Sequence, residues 1–338
     1  MTPADISHVR ALHVHDAANV GRNLVDAANK MGQSWSMTGI PWYYRRQWTG
    51  VLRHPVLRTR PVLWDATLAA KSAHHDVVHL HTGGLSPHMR WLRAPWVLHF
   101  HGTDVRSRQY DGWASKLEYG VQHADAVLYS TPDLTSHVHN LTDRGQYFPV
   151  TIRTDALPAW HPRRDRVVFA SRWDDVKGAT QQLEVARRVR ELHPRVELIG
   201  LDWGERASEA AAAGIRLVPK MPPDQFQAWL ATASVVIGQM TKILSVSELE
   251  ALSIGVPLVT TADRDFYPLL RESSASSVDA VAHAVVQALD DPENAARQQD
   301  GPGFVSGEHD AKAGVERLIS LYSSIISAAK NRNGDDGR

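Results

Sequence analysis

Residues 167–189 read VVFASRWDDVKGATQQLEVARRV, and their order decides the fold. A short β-branched and aromatic run, Val167 to Ala170, leads into a polar loop and then into Gly178 at the start of a helical pattern. Strand, loop and helix in that order make the unit of a parallel α/β sheet. The loop offers two cations, Arg172 and Lys177, beside a helix N-terminus whose unpaired N–H groups and dipole favour an anion. Gly178 lets the backbone come close to a ligand. The arrangement suits a diphosphate, although in isolation such a pattern more often marks solvated loop charges.

The rhythm extends along the chain in both directions. Strands are predicted at Arg10 to His15, Val77 to His81, Val97 to His101 and Ala126 to Tyr129, then at Arg166 to Ala170, Val196 to Gly200, Ile215 to Val218, Val235 to Gly238 and Pro257 to Thr260. Helical patterns fall between them, among them Ala179 to Leu192 and Ala280 to Leu289. A chain of 338 residues exceeds what one hydrophobic core usually serves, so two Rossmann-like parallel-sheet domains flanking a cleft are expected. The proline-bearing segment Phe148 to Pro162 reads as the linker. The expected division is therefore 1–155 and 156–310. After a Gly- and Pro-containing stretch at Gly301 to Gly307, a last amphipathic helix over 311–330 crosses back to the first domain. The polar residues 331–338 are expected to be a disordered tail.

Composition narrows the function classes. Apolar residues make up 43% and charged residues 22%, and no apolar run approaches the length that spans a bilayer. No secretory signal is recognisable at the N-terminus, and the absence of cysteine excludes disulfides and thiolate metal sites; both fit a cytoplasmic protein. Net charge is zero, yet between Lys30 and Trp64 no acidic residue occurs while Arg45, Arg46, Arg53, Arg58 and Arg60 do. The stretch 41–60, PWYYRRQWTGVLRHPVLRTR, mixes aromatics with arginine in a way suited to peripheral contact with an anionic membrane; nucleic acid is the weaker alternative and a solvated loop and helix the ordinary one.

Residues 247–261, SELEALSIGVPLVTT, place Glu250 on a helix that ends at Gly255 and feeds a strand, where a carboxylate can accept both hydroxyls of a ribose. The order S-R-x4-K-G at 171–178, V-E-L-I-G at 196–200 and S-E-L-E-A-L-S-I-G-V-P-L-V at 247–259 resembles glycosyltransferase family 4, the retaining GT-B type, over nearly the whole chain. The segments DVVHLHTGG (76–84), APWVLHFHGTD (94–104) and ADAVLYSTPDL (124–134) are similar to that family's first domain.

The resemblance implies a metal-independent transferase with no cofactor. Its donor is a nucleoside diphosphate sugar, and its acceptor a saccharide, a lipid-linked sugar or a small molecule. It implies that Arg172 and Lys177 bind the donor diphosphate, that Glu250 binds the ribose, and that His101 sits by the donor sugar. The loop after the first strand, His15 to Gly21, faces acceptor and donor phosphate, with Gly21 in the donor site; Lys242 and Ser245 complete it.

One position departs from the pattern. Lys242 stands where the first glutamate of the family's E-x7-E motif would fall, and the glycines usual after it are missing from ILSVS (243–247). That leaves open an unusual donor, a catalytically silent nucleotide-sugar-binding protein, or an epimerase or hydrolase acting on the donor alone.

Two further patterns carry weaker readings. His79, His81, His99 and His101 lie two apart on adjacent predicted strands, so the four rings can meet at a metal. Such histidines serve more often as packing or hydrogen-bonding groups, and no metal is expected because Arg and Lys replace the cation in the resembled family. The D-x-D spacing of Asp263 and Asp265 comes too late in the chain to be the metal motif of a single-domain transferase.

Overall fold

The computed structural model describes residues 8–41, 51, 53–275 and 277–335. The chain divides into two compact units, Met1–Thr151 with Ala311–Arg338, and Ile152–Asp310.

The first unit runs β1 (Ala11–Val14), α1 (Val20–Lys30), β2 (Ser36–Thr38), α2 (Arg53–Ser72), β3 (Val77–Leu80), β4 (Trp96–Phe100), α3 (Thr103–Arg106), α4 (Ala114–His123), β5 (Ala126–Tyr129), α5 (Thr135–His139) and β6 (Gly145–Tyr147). The second runs β7 (Arg166–Phe169), α6 (Ala179–Leu192), β8 (Glu197–Leu201), α7 (Ala207–Ala212), β9 (Arg216–Val218), α8 (Pro223–Leu230), β10 (Val235–Ile237), α9 (Val246–Ile254), β11 (Leu258–Val259), α10 (Val278–Asp290), α11 (Pro292–Gln299) and α12 (Gly301–Glu308). Helix α13 (Ala311–Asp335) then returns to the first unit.

Both sheets are parallel, ordered β2-β1-β3-β4-β5-β6 and β11-β10-β7-β8-β9. In each the chain starts at an interior strand and reverses direction across the sheet, between β1 and β3 and between β7 and β10. Outside the carboxyl ends of the strands at such a reversal, loops diverge and leave room for a ligand.

One expectation is corrected, and three elements escape the sequence reading. Gly301 to Gly307 is helix: Asp300 accepts the Gly303 N–H (3.2 Å), Pro302 suits the first turn, and Phe304 and Val305 are buried. The last helix runs to Asp335 rather than ending before a disordered tail at 331; Arg332 pairs with Asp125 near its end, and residues 336–338 lie outside the described residues. Strands β2 and β6 are edge strands of three residues, too short to leave a period in the sequence.

Alternation along β1, β3 and β4 sorts the first sheet into two unlike faces. Leu12 and Val14, Val78 and Leu80, and Leu98 and Phe100 join Trp64 and Leu68 of α2 in one apolar core. The opposite face presents His13, His79 and His99, all fully buried, under α13 and its Tyr322.

Candidate functional site

The loop after β7 is fastened by bonds of its own residues. Trp173 is fully buried; its N–H donates to the Trp203 carbonyl (2.9 Å) and its indole Nε1 to the Leu201 carbonyl (2.9 Å), fastening this loop to the one after β8. Asp174 accepts the Glu205 N–H (2.8 Å) and pairs with Arg172 (2.7 Å), whose guanidinium lies 5.7 Å from the centroid of the half-exposed Trp203 ring. Lys220 Nζ is 3.8 Å from the same centroid. Two cations therefore share one aromatic ring.

Lys177 closes the following 3-10 turn, and its Nζ donates to Gln239 Oε1 (2.6 Å) in the loop after β10, on the other side of the sheet's reversal point. Gln239 is fully buried and is held in turn by the Ile243 carbonyl (2.7 Å). Gly178 has φ 71°, and a Cβ there would lie 2.5 Å from Met240, so both conformation and space demand glycine.

Two carboxylates lie in α9. Ser245 and Glu248 form a capping box: Glu248 Oε2 accepts the Ser245 N–H and hydroxyl (2.7 Å each), while Oε1 accepts Thr260 Oγ1 (2.8 Å). Glu248 is fully buried, and burial raises its carboxyl above the ordinary range. Gly238 makes room for it, since a Cβ there would stand 1.9 Å from Glu248 Oε1. Glu250 is also buried; it accepts Gln227 Nε2 of α8 (3.0 Å), and burial pushes its carboxyl up to about 7 against the smaller opposing effects of Gln227 and Arg153. Lys242 is solvent-facing, its Nζ 4.0 Å from Asp263.

In the first unit the histidines are joined in one chain of contacts. His101 Nε2 meets His81 Nδ1 (2.9 Å), His81 Nε2 meets His13 Nδ1 (2.9 Å), and His13 Nε2 lies 3.4 Å from the Tyr322 hydroxyl. That hydroxyl meets His79 Nδ1 (2.5 Å), and His79 Nε2 meets His99 Nδ1 (3.1 Å). Burial lowers His13 and His101 to about 3 and the other three well below the ordinary imidazole value, so all five rings are neutral at physiological pH. His101 is half-buried, just past the end of β4. Gly21 lies buried in the first turn of α1, where a Cβ would be 2.8 Å from Met37 and 3.1 Å from His81 Nε2; it admits the helix to the histidine layer. Asp16 accepts backbone N–H groups of Gly21 and Arg22 at that helix start.

Arg172, Lys177, Lys242, Ser245 and Glu250 thus all belong to the second unit and His101 and Gly21 to the first. Gln239, Trp203 and Glu248 were missed in the sequence. Glu248 alone left a signal, the S-x-x-E capping box beginning at Ser245. Arg45 and Arg46 of the basic stretch lie outside the described residues; Arg58 and Arg60 are on α2. Among the described residues no helix is long and apolar enough to cross a membrane.

No protein-family model matches the chain, and no curated protein matches it in sequence. Solved structures do match in shape. Sucrose-phosphate synthase from Thermosynechococcus elongatus superposes with a TM-score of 0.71 at 15% identity, covering 95% of this chain and 100% of that one. Anabaena HepE in complex with UDP-glucose gives 0.70 at 11% identity, covering 94% and 100%. A glycosyltransferase from Rickettsia africae gives 0.65 at 12% identity, covering 94% and 99%. Two Rossmann-like parallel-sheet domains, matched over almost the full length by such proteins, define the fold as that of the GT-B glycosyltransferases.

Proposed function

We propose that the chain is a glycosyltransferase that moves a sugar from a nucleoside diphosphate sugar to an acceptor hydroxyl, with retention of configuration and without a catalytic cation. The observation that carries this reading is the placement of Arg172 and Lys177 in the loop after β7, with Lys177 tied across the sheet's reversal point to Gln239. A diphosphate seated there meets two cations and the start of α6. The shared fold supports the reading, as does the UDP-glucose bound by HepE.

In this mechanism the C1–O bond to the diphosphate breaks as the acceptor oxygen bonds to C1 on the same face, and the acceptor proton passes to the departing phosphate oxygen. Arg172, released from Asp174, and Lys177 stabilise charge growing on the leaving group. Glu250 accepts the ribose hydroxyls, Ser245 and Lys242 line the donor site, Gly21 admits the donor phosphate to the loop after β1, and His101 donates to the sugar. The acceptor is a saccharide, a lipid-linked sugar or a small molecule.

Lys242 motivates a second reading, a nucleotide-sugar-binding protein without transfer or an enzyme acting on the donor alone, because a cation replaces the carboxylate of the resembled motif. One assay separates the three. The protein is incubated with a panel of nucleoside diphosphate sugars, with and without mixed saccharide acceptors, and released nucleoside diphosphate is measured. Release that requires acceptor is the expected result. Release without acceptor supports donor hydrolysis or rearrangement, and binding without release supports the silent reading. NMR of the product anomer tests retention.

We also propose a cytoplasmic protein that touches the inner face of an anionic membrane through the first unit. Val62, Leu63 and Trp91 are solvent-exposed there, and Arg90 lies over the Trp91 ring (5.4 Å). Co-sedimentation with anionic but not neutral vesicles is expected; equal recovery with both would remove this part of the reading.

A further inference from the structure

The histidine layer of the first unit has a chemistry that the transferase reading does not use. A neutral imidazole carries one N–H and one lone pair, so a row of them joined ring to ring runs in a single sense, each donating to the next. Run either way from His101 through His81, His13, Tyr322 and His79, such a row ends at His99, whose Nε2 is buried without a well-formed hydrogen bond and whose one partner beyond the row is the Phe148 backbone.

One ring nitrogen from each of His81, His99 and His101 lies within 4.8 Å of the other two. We propose that these three imidazoles bind a divalent transition-metal ion, zinc being the best match to a three-histidine set, through His81 Nδ1, His101 Nε2 and His99 Nε2.

The surrounding hydrogen bonds fit this assignment. Metal-bound histidines point their second N–H at an outer partner. His81 Nε2–H then donates to His13, which donates through its own Nε2–H toward the Tyr322 oxygen. From the other side His99 Nδ1–H donates to His79, whose Nδ1–H donates to the same oxygen. The two runs meet on one hydroxyl oxygen, which has two lone pairs to receive them. The Tyr322 hydroxyl proton is then the one donor of the row with no acceptor inside it.

One acidic group stands close in the chain to the ligands. Asp104 is buried on α3 and accepts the backbone N–H groups of Gly83 (3.1 Å) and His101, holding a carboxylate one loop from the ligands. His101 is only half-buried, which gives the ion a way in and leaves a fourth position for water or a substrate oxygen, as in three-histidine zinc sites generally. With the ion on Nε2, His101 keeps its Nδ1–H as the donor that the transferase reading gives to the sugar.

The test uses the full chain, prepared without a metal-affinity tag, stripped with a chelator and dialysed, with no nucleotide present, so that its outcome is independent of the transferase reading. Zinc is titrated in competition with a chromophoric chelator, and cobalt is added separately to read coordination from visible absorption. One zinc per chain and the intense bands of tetrahedral cobalt are expected. His101→Asn should weaken zinc binding by more than about a hundredfold, beyond the range for outer partners, and Tyr322→Phe by about ten- to a hundredfold. His88→Asn, whose ring bonds Asp65 instead, should bind as the parent does. Less than one zinc per chain at micromolar free zinc, octahedral cobalt, or equal affinity in the His101 and His88 variants would overturn the proposal.

Discussion

Glu250 joins stability to ligand chemistry at one residue. Its carboxyl titrates near 7 in the fold and near 4.5 when the chain is unfolded. Below pH 4.5 both states hold the proton and stability is unaffected; between 4.5 and 7 the unfolded state ionises first, so stability falls, by about 3 kcal/mol once pH passes 7. Glu250→Gln is therefore expected to match the parent at pH 4 and to exceed it in denaturant melts at pH 8. Because ribose hydroxyls donate to the ionised form, nucleoside diphosphate affinity should rise between pH 6 and 8 in the parent and show no such rise in Glu250→Gln. Glu248, two residues away, is expected to behave oppositely: Glu248→Ala removes the helix cap and strands Thr260, costing about 2–4 kcal/mol in the same melts. The places of Arg172 and Lys177 after a strand and of Glu250 on a helix were legible in the sequence because each stands beside its own strand or helix signal. Gln239 and Trp203 were not, since their contacts exist only once β7 lies between β10 and β8.

Among the elements, the long apolar strands and helices were readable from periodicity, whereas β2, β6 and α12 were not. Two edge strands of three residues carry no period, and α12 reads as a turn because Gly301, Pro302, Gly303 and Gly307 mask it. Tertiary packing overrides that local preference: Gly301 lets α12 settle on α9, where a Cβ would stand 2.6 Å from the Leu252 carbonyl. The two end glycines should therefore respond in opposite ways. Gly301→Ala is expected to lower stability by about 2–3 kcal/mol through overpacking. Gly307→Ala, with nothing within 4 Å of the new methyl group, should leave stability unchanged or raise it by up to about 1 kcal/mol. Thermal melts of the two variants side by side check the pair.

Across the whole molecule, each unit has its own sheet and core, and α13 is the piece that leaves one end of the chain to complete the other. It gives the first unit Val315, Leu318, Tyr322, Ile325 and Ile326, all buried, and Tyr322 is the hinge of the histidine row. A chain ending at Asp310 is expected to lose protease resistance in residues 8–151 and keep it in 152–310; uniform digestion of both would contradict the division. The two cations assigned to the diphosphate both lie in the second unit, so the most direct test is calorimetric titration of nucleoside diphosphates into the parent, Arg172→Ala and Lys177→Ala. Saturable binding of one nucleoside diphosphate to the parent, weakened about tenfold or more in each variant, is the predicted result, that being the scale of one charge-assisted contact. Equal affinity in all three proteins, or none in the parent, would contradict the assignment of the diphosphate to the loop after β7.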